Sequence, residues 1–310
     1  MRTFLNCEKG FVEIPQWQPN SWINIENPDT SDLTYLTQEL EVPESFLNDI
    51  ADMDERPRIE TENNWLLTLF RVPIPKSEIN TDLPYSTVPI GVLTNNEIII
   101  TICYYRTEVL TDFIRYSRRK EIIVRNKLDL ILRLLHSSAV WFLKYLKQIQ
   151  LDLKIAEQEL EKSIRNEELH TLMKLQNTMV YFNTSIHGNQ IVTNRLKNIF
   201  NDTNYLDKDL YEDVIIEQEQ AFSTVKIYSD ILTGTMDAFA SIISNNVGTI
   251  MKRMTSLSII LMVPTLIASF YGMNVDIYLD HFPHAFTGIV ITSICLSALA
   301  FFIFRKIKWF

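Results

Sequence analysis

A chain of 310 residues that is 46% hydrophobic and 22% charged, with a net charge of −9, is long enough for two ordinary domains and a sizeable core. The charge is unevenly spread: residues 251–310 carry five basic and two acidic side chains, which leaves the first 250 with 24 basic against 36 acidic ones. An acidic soluble part disfavours nucleic acid as a partner and favours the attraction of cations. Cys7, Cys103 and Cys295 stand singly, so neither a zinc site nor a disulfide framework is indicated. The seven glycines form no G-x-G-x-x-G or G-x-x-x-x-G-K pattern, and no nucleotide is expected. No Ser-His-Asp, His-Glu-x-x-His or paired-Cys spacing points to an enzyme. Arg2, Glu8, Lys9 and Glu13 interrupt the first residues, so no signal peptide is read there and the N-terminal part is expected in the cytoplasm.

In chain order, residues 1–123 read as a mixed α/β domain. Helical character covers 32–40 and 44–51; strand-like runs cover 65–72, 88–93 and 97–104, with Asn95-Asn96 as a tight turn between the last two. Residues 124–204 contain one glycine, no proline and apolar residues at helical spacing, among them Leu128, Ile131, Leu135, Leu153 and Leu160. That pattern predicts two long antiparallel helices turning near Arg165-Asn166. Asn201-Asp202-Thr203-Asn204 stops the second, and Asp207 or Asp209 is available to cap a third. From there to Tyr271 only Gly234, Gly248 and Pro264 interrupt the pattern. One helix of about 64 residues and roughly 95 Å is expected, with 205–254 as its cytoplasmic part.

Residues 255–270 and 286–304 carry no charge. Each is about long enough to cross a bilayer, which takes roughly 20 apolar residues. The expected layout is a first crossing over 255–273, an external loop over 274–285, a second crossing over 286–304 and a basic tail over 305–310. Lys252 and Arg253 precede the first crossing, Arg305, Lys306 and Lys308 follow the second, and the loop between carries only Asp276 and Asp280. Positive residues stay inside, so a multi-pass protein of the cell membrane with both termini cytoplasmic is expected. Along the first crossing, Ser244, Gly248, Met251, Met254, Ser258, Met262, Thr265 and Ser269 recur every three or four residues. Ile260, Val263, Ile267 and Phe270 fall on other faces. A stripe of small, polar and Met side chains suits either a narrow pore lining or close helix packing.

Tyr271-Gly272-Met273-Asn274 closes the first crossing, a short acidic loop and a terminal crossing follow, and the chain ends on Lys306-Ile307-Lys308-Trp309-Phe310. This arrangement resembles the CorA family of magnesium transporters. The resemblance implies an α+β membrane protein with a cytoplasmic α/β domain, a long-helix stalk and two C-terminal transmembrane helices, assembled as a homopentamer. It implies channel-like movement of hydrated Mg2+ down its electrochemical gradient. Gly272, Met273 and Asn274 would form the selective entrance, and Asp276 and Asp280 the external mouth. Met251, Met254, Met262 and Thr265 match pore-facing positions of the family, with Ser258 on the same stripe. At the cytoplasmic end Gly248 stands where relatives have Asn, and Asn245 and Asn246 lie one turn earlier. Gly272 is expected to let the backbone turn, and His281 and His284 are spaced as a helical pair.

The resemblance also implies regulation. Relatives carry a Glu-Asp pair some eight residues before an Arg-Pro; here the match to Arg56-Pro57 places Asp49 on the Asp but Asn48 on the Glu. Asp213 falls where the stalk helix contributes an Asp across the subunit boundary. Mg2+ between Asp49 and Asp213 would then favour the closed state, although Glu212, Asp213, Glu217 and Glu219 by themselves read as a solvated helix face. Transport of Co2+, Ni2+ or Zn2+ is the nearest rival, with Met273 standing where zinc-transporting relatives tend to carry Val. A non-conducting helical scaffold anchored in the bilayer is a rival from another class.

Overall fold

The computed structural model describes residues 2–8, 10–79, 81–162, 166–200, 205–273, 284–307 and 309. The chain divides into two compact units, Met1–Thr235 and Met236–Phe310.

The first unit is built on one seven-stranded sheet, in the order β2-β1-β3-β7-β6-β5-β4. Its strands are β1 (Arg2–Asn6), β2 (Val12–Ile14), β3 (Ser21–Glu26), β4 (Arg58–Glu62), β5 (Trp65–Pro75), β6 (Tyr85–Thr94) and β7 (Ile99–Cys103). All neighbours pair antiparallel except β3 and β7. Along β5 and β6 almost every position is buried rather than every second one, the pattern of strands covered on both faces. One face packs Leu67, Leu69, Leu93, Ile100 and Ile102 against Leu36, Phe46, Leu47 and Ile50. Leu36 comes from the π-helical turn Tyr35–Glu39 that follows a short helix α1 (Thr30–Thr34), and the other three from α2 (Glu44–Ala51). At Gly91 the absence of a side chain admits Ile50 of α2 against the sheet.

The strand read over 65–72 runs on to Pro75, through two prolines that donate no ladder hydrogen bond. The pairing explains this: β4 accompanies β5 only from Trp65 to Leu69, so Pro73 and Pro75 lie where one edge of β5 is open. The turn read at Asn95-Asn96 is wider than a two-residue loop. Asn95 bridges it, its Oδ1 accepting from the amides of Glu97 at 2.9 Å and Ile98 at 2.7 Å.

Helix α3 (Glu108–Lys120) leads into α4 (Lys127–Lys162), α5 (Asn166–Phe200) and α6 (Lys208–Tyr271). The expected turn near Arg165 falls at residues that are not described, between α4 and α5. Asp207 rather than Asp209 caps α6, its Oδ1 accepting from Leu210 N at 3.2 Å. Edge-to-face packing of Phe142 on Phe182, with ring centroids 5.0 Å apart, joins α4 to α5.

Two cysteines lie in this unit, and burial pushes the thiols of both Cys7 and Cys103 up to about 12. The neutral thiol is therefore favoured in the folded state, and its contribution to stability is lost only as the pH climbs toward that value. At pH 8 neither thiol should react with iodoacetamide in the native protein, and both should react after denaturation. Peptide mass spectrometry of the two samples checks this; native labelling of Cys103 would count against its burial.

In the second unit α6 continues to Tyr271 and α7 (Ala285–Lys306) follows. Both are long and apolar enough to cross a membrane. Pro264 sits inside α6 and has no N–H for the carbonyl of Ile260, one turn earlier. Ser297 of α7 takes its place, its hydroxyl donating to Ile260 O at 3.4 Å. Hydrocarbon offers no donor, so a carbonyl freed by proline at membrane depth needs one from a neighbouring helix.

Candidate functional site

In the C-terminal part of α6, Ile260, Val263 and Ile267 are half-buried, while Met251, Met254, Ser258, Met262, Thr265 and Ser269 are exposed, as are Leu257, Leu261, Leu266 and Phe270. Ile260 and Pro264 line a groove shared with Val290, Ser293 and Ser297 of α7. Met251, Met254 and Met262 are 59%, 62% and 67% exposed in the single chain, so among the described residues the stripe read in the sequence is largely uncovered. Gly248, toward its N-terminal end, is half-buried.

The two hydroxyls on this stripe are tied back into the helix. Ser258 Oγ donates to Met254 O at 2.9 Å and Thr265 Oγ1 to Leu261 O at 3.0 Å. Such back-bonding is how a hydroxyl is tolerated in an apolar span. It also fixes what the side chain offers: with its hydrogen committed, each oxygen presents only lone pairs outward.

Gly272 lies in the turn just past the end of α6, though not in a left-handed conformation. Its amide still donates to Ala268 O at 2.9 Å, and among the described residues the only glycine with a left-handed φ is Gly10. The helical pattern thus persists one residue past Tyr271. A Cβ at Gly272 would stand 3.3 Å from Ala268 O, which is tight. Met273 is exposed. Asn274, Asp276, Asp280 and His281 lie outside the described residues. His284 sits at the N-cap of α7 without a side-chain capping bond, ahead of the helix rather than on it.

The second candidate region is the acidic loop between α2 and β4. Asp49 is in the last turn of α2, Asn48 beside it is exposed, and β4 begins at Arg58. Arg58 gathers three carboxylates: Nη2 meets Asp49 Oδ2 at 2.5 Å, Nε meets Glu60 Oε2 at 2.9 Å, and Nη1 pairs with Glu55 Oε1. Burial draws the Arg58 pKa down, but the Glu60 hydrogen bond and the charges of Glu55, Asp49 and Glu60 outweigh it and raise it overall. The Asp49 pair is half-buried on both sides.

Beneath the loop lies a second arginine. Arg71 on β5 is 7% exposed; its Nη1 donates to Glu55 O at 2.7 Å, its Nη2 to Thr87 O at 2.7 Å and its Nε to Thr87 Oγ1 at 3.0 Å. Burial lowers its pKa, against the charges of Asp54, Asp52 and Glu55 above it; an arginine nonetheless stays charged. Its main chain is clamped by α5, where Asn189 accepts from Arg71 N at 2.9 Å and donates to Arg71 O at 2.7 Å. The loop is also pinned at Pro57, whose ring lies where a Cβ on Gly188 of α5 would be, 2.6 Å from Pro57 Cγ.

Asp213 is exposed on α6. No group of three or more His, Cys, Asp or Glu poised to hold a metal occurs among the described residues. Neither Arg58 nor Arg71 was singled out in the sequence. Arg58 lies nine residues from Asp49 across a loop, a spacing that carries no pattern; only Arg56-Pro57 beside it marked the place.

The comparison that decides the family is a match to the model of the CorA-like Mg2+ transporter protein over residues 17–306. The chain belongs to this CorA family. It is 24% identical over 293 residues to the cobalt/magnesium transport protein CorA of Methanocaldococcus jannaschii, covering 93% of this chain and 90% of that one. The protein of the same description from Thermotoga maritima is 23% identical over 304 residues, covering 93% and 83%. The complete structure of the CorA magnesium transporter from M. jannaschii superposes with a TM-score of 0.84 at 22% identity, over 100% of this chain and 99% of that one. The expected fold class is borne out: a mixed α/β N-terminal domain, a long helix and two C-terminal spans, as in the CorA structures.

Proposed function

We propose that this chain moves hydrated Mg2+ across the cell membrane down its electrochemical gradient, as a homopentamer in which α6 lines a central pore. Membership of a magnesium-transporter family and two helices fit to span a bilayer support this reading. The observation that carries it is the exposed stripe of α6, on which Met251, Met254, Ser258, Met262 and Thr265 are left uncovered by the described residues of their own protomer. Around a five-fold axis that stripe would enclose a narrow path. The outward lone pairs of Ser258 and Thr265 would accept hydrogen bonds from the water carried by the ion. Mg2+ sheds that water reluctantly, so a lining of neutral acceptors and soft side chains passes it without trapping it.

Asn274, with Gly272 and Met273, forms the entrance in this proposal, and Asp276 and Asp280 concentrate cations before it. Both termini lie in the cytoplasm. Cytoplasmic Mg2+ between Asp49 and the Asp213 of a neighbouring subunit closes the pore. Carboxylate oxygens are the donors a hard cation takes, and an ion that keeps several waters needs no more than two of them. Two carboxylates from adjoining chains repel without a cation between them, so the bound ion also holds the assembly symmetric.

Co2+ is a second cargo, since a ring that reads hydration and size admits ions of similar shell, and the curated relatives are described as cobalt/magnesium transporters. Uptake of Mg2+ into vesicles bearing the purified chain, with Co2+, Ni2+ and Zn2+ as competitors, tests the proposal. Flux no greater than in empty vesicles, from a properly assembled protein, would leave the scaffold reading standing.

The exposed and half-buried positions of α6 give a sharper test. Met262→Asp should insert and assemble but conduct abnormally, because water reaches its face. Ile260→Asp should lose expression, because that side chain faces α7, where a charge costs roughly 2.5–3.5 kcal/mol. Equal losses of membrane-inserted protein from both would argue against the pore face.

A further inference from the structure

We infer that Arg58 is a resident competitor for the cytoplasmic divalent ion at Asp49: its guanidinium holds the carboxylate that Mg2+ must take, and so sets how much Mg2+ closes the pore. The inference rests on the reading of Asp49 as a regulatory ligand. It goes beyond that reading by naming what occupies the carboxylate while the divalent ion is away.

The geometry supplies both the competition and an inexpensive release. Asp49 Oδ2 is 2.5 Å from Arg58 Nη2, a charge-assisted bond that uses the same oxygen lone pairs a metal would use. A guanidinium at that distance would also repel an arriving divalent cation. The other two edges of Arg58 are engaged elsewhere, Nε with Glu60 at 2.9 Å and Nη1 with Glu55. When Asp49 turns to the ion, Arg58 keeps two carboxylates and no charge is stranded. The exchange is therefore one cation for another on a single carboxylate, not the breaking of a network. Arg58 and Asp49 are each 28% exposed, so water and ions reach them. An ion pair of this exposure is worth up to about 1 kcal/mol, roughly a two- to fivefold effect on the apparent affinity of a competitor.

The test uses the full chain in detergent and follows protection from a protease as MgCl2 is raised, alongside inhibition of uptake in vesicles. Asp49→Asn, Arg58→Gln, Arg58→Lys and Arg56→Gln are compared with the wild type. Arg58→Gln should lower the half-maximal Mg2+ concentration for protection and for inhibition by roughly two- to fivefold. Arg58→Lys, which keeps the charge but loses the fork, should lower it by less. Arg56→Gln removes a neighbouring charge without breaking the Asp49 pair and should leave it in place. If Asp49→Asn does not raise the midpoint, the regulatory reading of Asp49 itself fails. If Asp49→Asn raises it but Arg58→Gln does not lower it, or Arg56→Gln lowers it equally, competition by Arg58 is overturned while the regulatory reading stands. Should Arg58→Gln fail to assemble, Arg58→Lys decides: a wild-type midpoint in that variant overturns the inference.

Discussion

Replacing Asn274 by Ala is expected to reduce Mg2+ uptake to the background of empty vesicles while leaving the pentamer intact. Asn274 follows directly on the end of α6, past Gly272 and Met273. In the proposed pentamer a ring of Asn274 amides would offer oriented neutral dipoles to the waters of the entering ion, attracting a divalent cation without the tight hold that a carboxylate ring would exert. Alanine would remove that dipole. The effect on assembly should be small, because the core of the first unit lies in the sheet and the helices packed on it. Flux and oligomer mass measured on the same preparation check the expectation. Wild-type flux from an intact Asn274→Ala pentamer would remove Asn274 from the selective entrance.

The second large effect is one of stability. Arg71→Met should destabilise the first unit by about 2–4 kcal/mol, because buried Thr87 O, half-buried Glu55 O and Thr87 Oγ1 all lose a donor at once, only the last keeping another partner, Ser185 Oγ at 2.8 Å. An unsatisfied buried group costs about 1–3 kcal/mol. Removing a buried guanidinium returns part of that through its desolvation, which keeps the estimate below the simple sum. For a unit of this size the melting temperature should fall by roughly 5–15 °C. Arg71→Lys should recover only part of the loss, since an ammonium cannot reach three acceptors held in a guanidinium's plane. Thermal unfolding of the full chain followed by tryptophan fluorescence reads the change. A shift no larger than that of a surface substitution would mean that the loop above Arg71 is held by other contacts.

Much of this architecture is written locally and is therefore legible. The long helices show in an apolar period of three to four over a stretch with a single glycine, and the two spans show in runs without charge. The two edge strands β2 and β4 were not read, nor were β1 and the buried β3. β1 is mostly half-buried and β2 mostly exposed, so neither alternates clearly, and β4 leaves Glu60, Thr61 and Glu62 exposed on both faces. One signal for β4 was available: Asn63 and Asn64 both adopt left-handed φ, 48° and 64°, between Glu62 and Trp65. That is the two-residue hairpin turn that paired asparagines favour. For the candidate site the division is similar. Asp49 and the α6 stripe follow from spacing and family likeness. The arginines that bind the acidic loop from either side follow only from which strand ends beside which helix, and no local pattern encodes that.

Pro264 gives the two spans a shared constraint. A carbonyl on the first is satisfied by a hydroxyl on the second, Ile260 O by Ser297, so the helices are pegged together near the depth at which the proline breaks the ladder. Turning α6 about its own axis would draw the peg and leave a bare carbonyl in hydrocarbon, a penalty of several kcal/mol. Tilting α6 and α7 as one piece keeps the peg seated and costs nothing on that account. In the proposed pentamer the moving part of each subunit would then be the pair of spans, with α7 a lever on the pore as well as an anchor in the lipid.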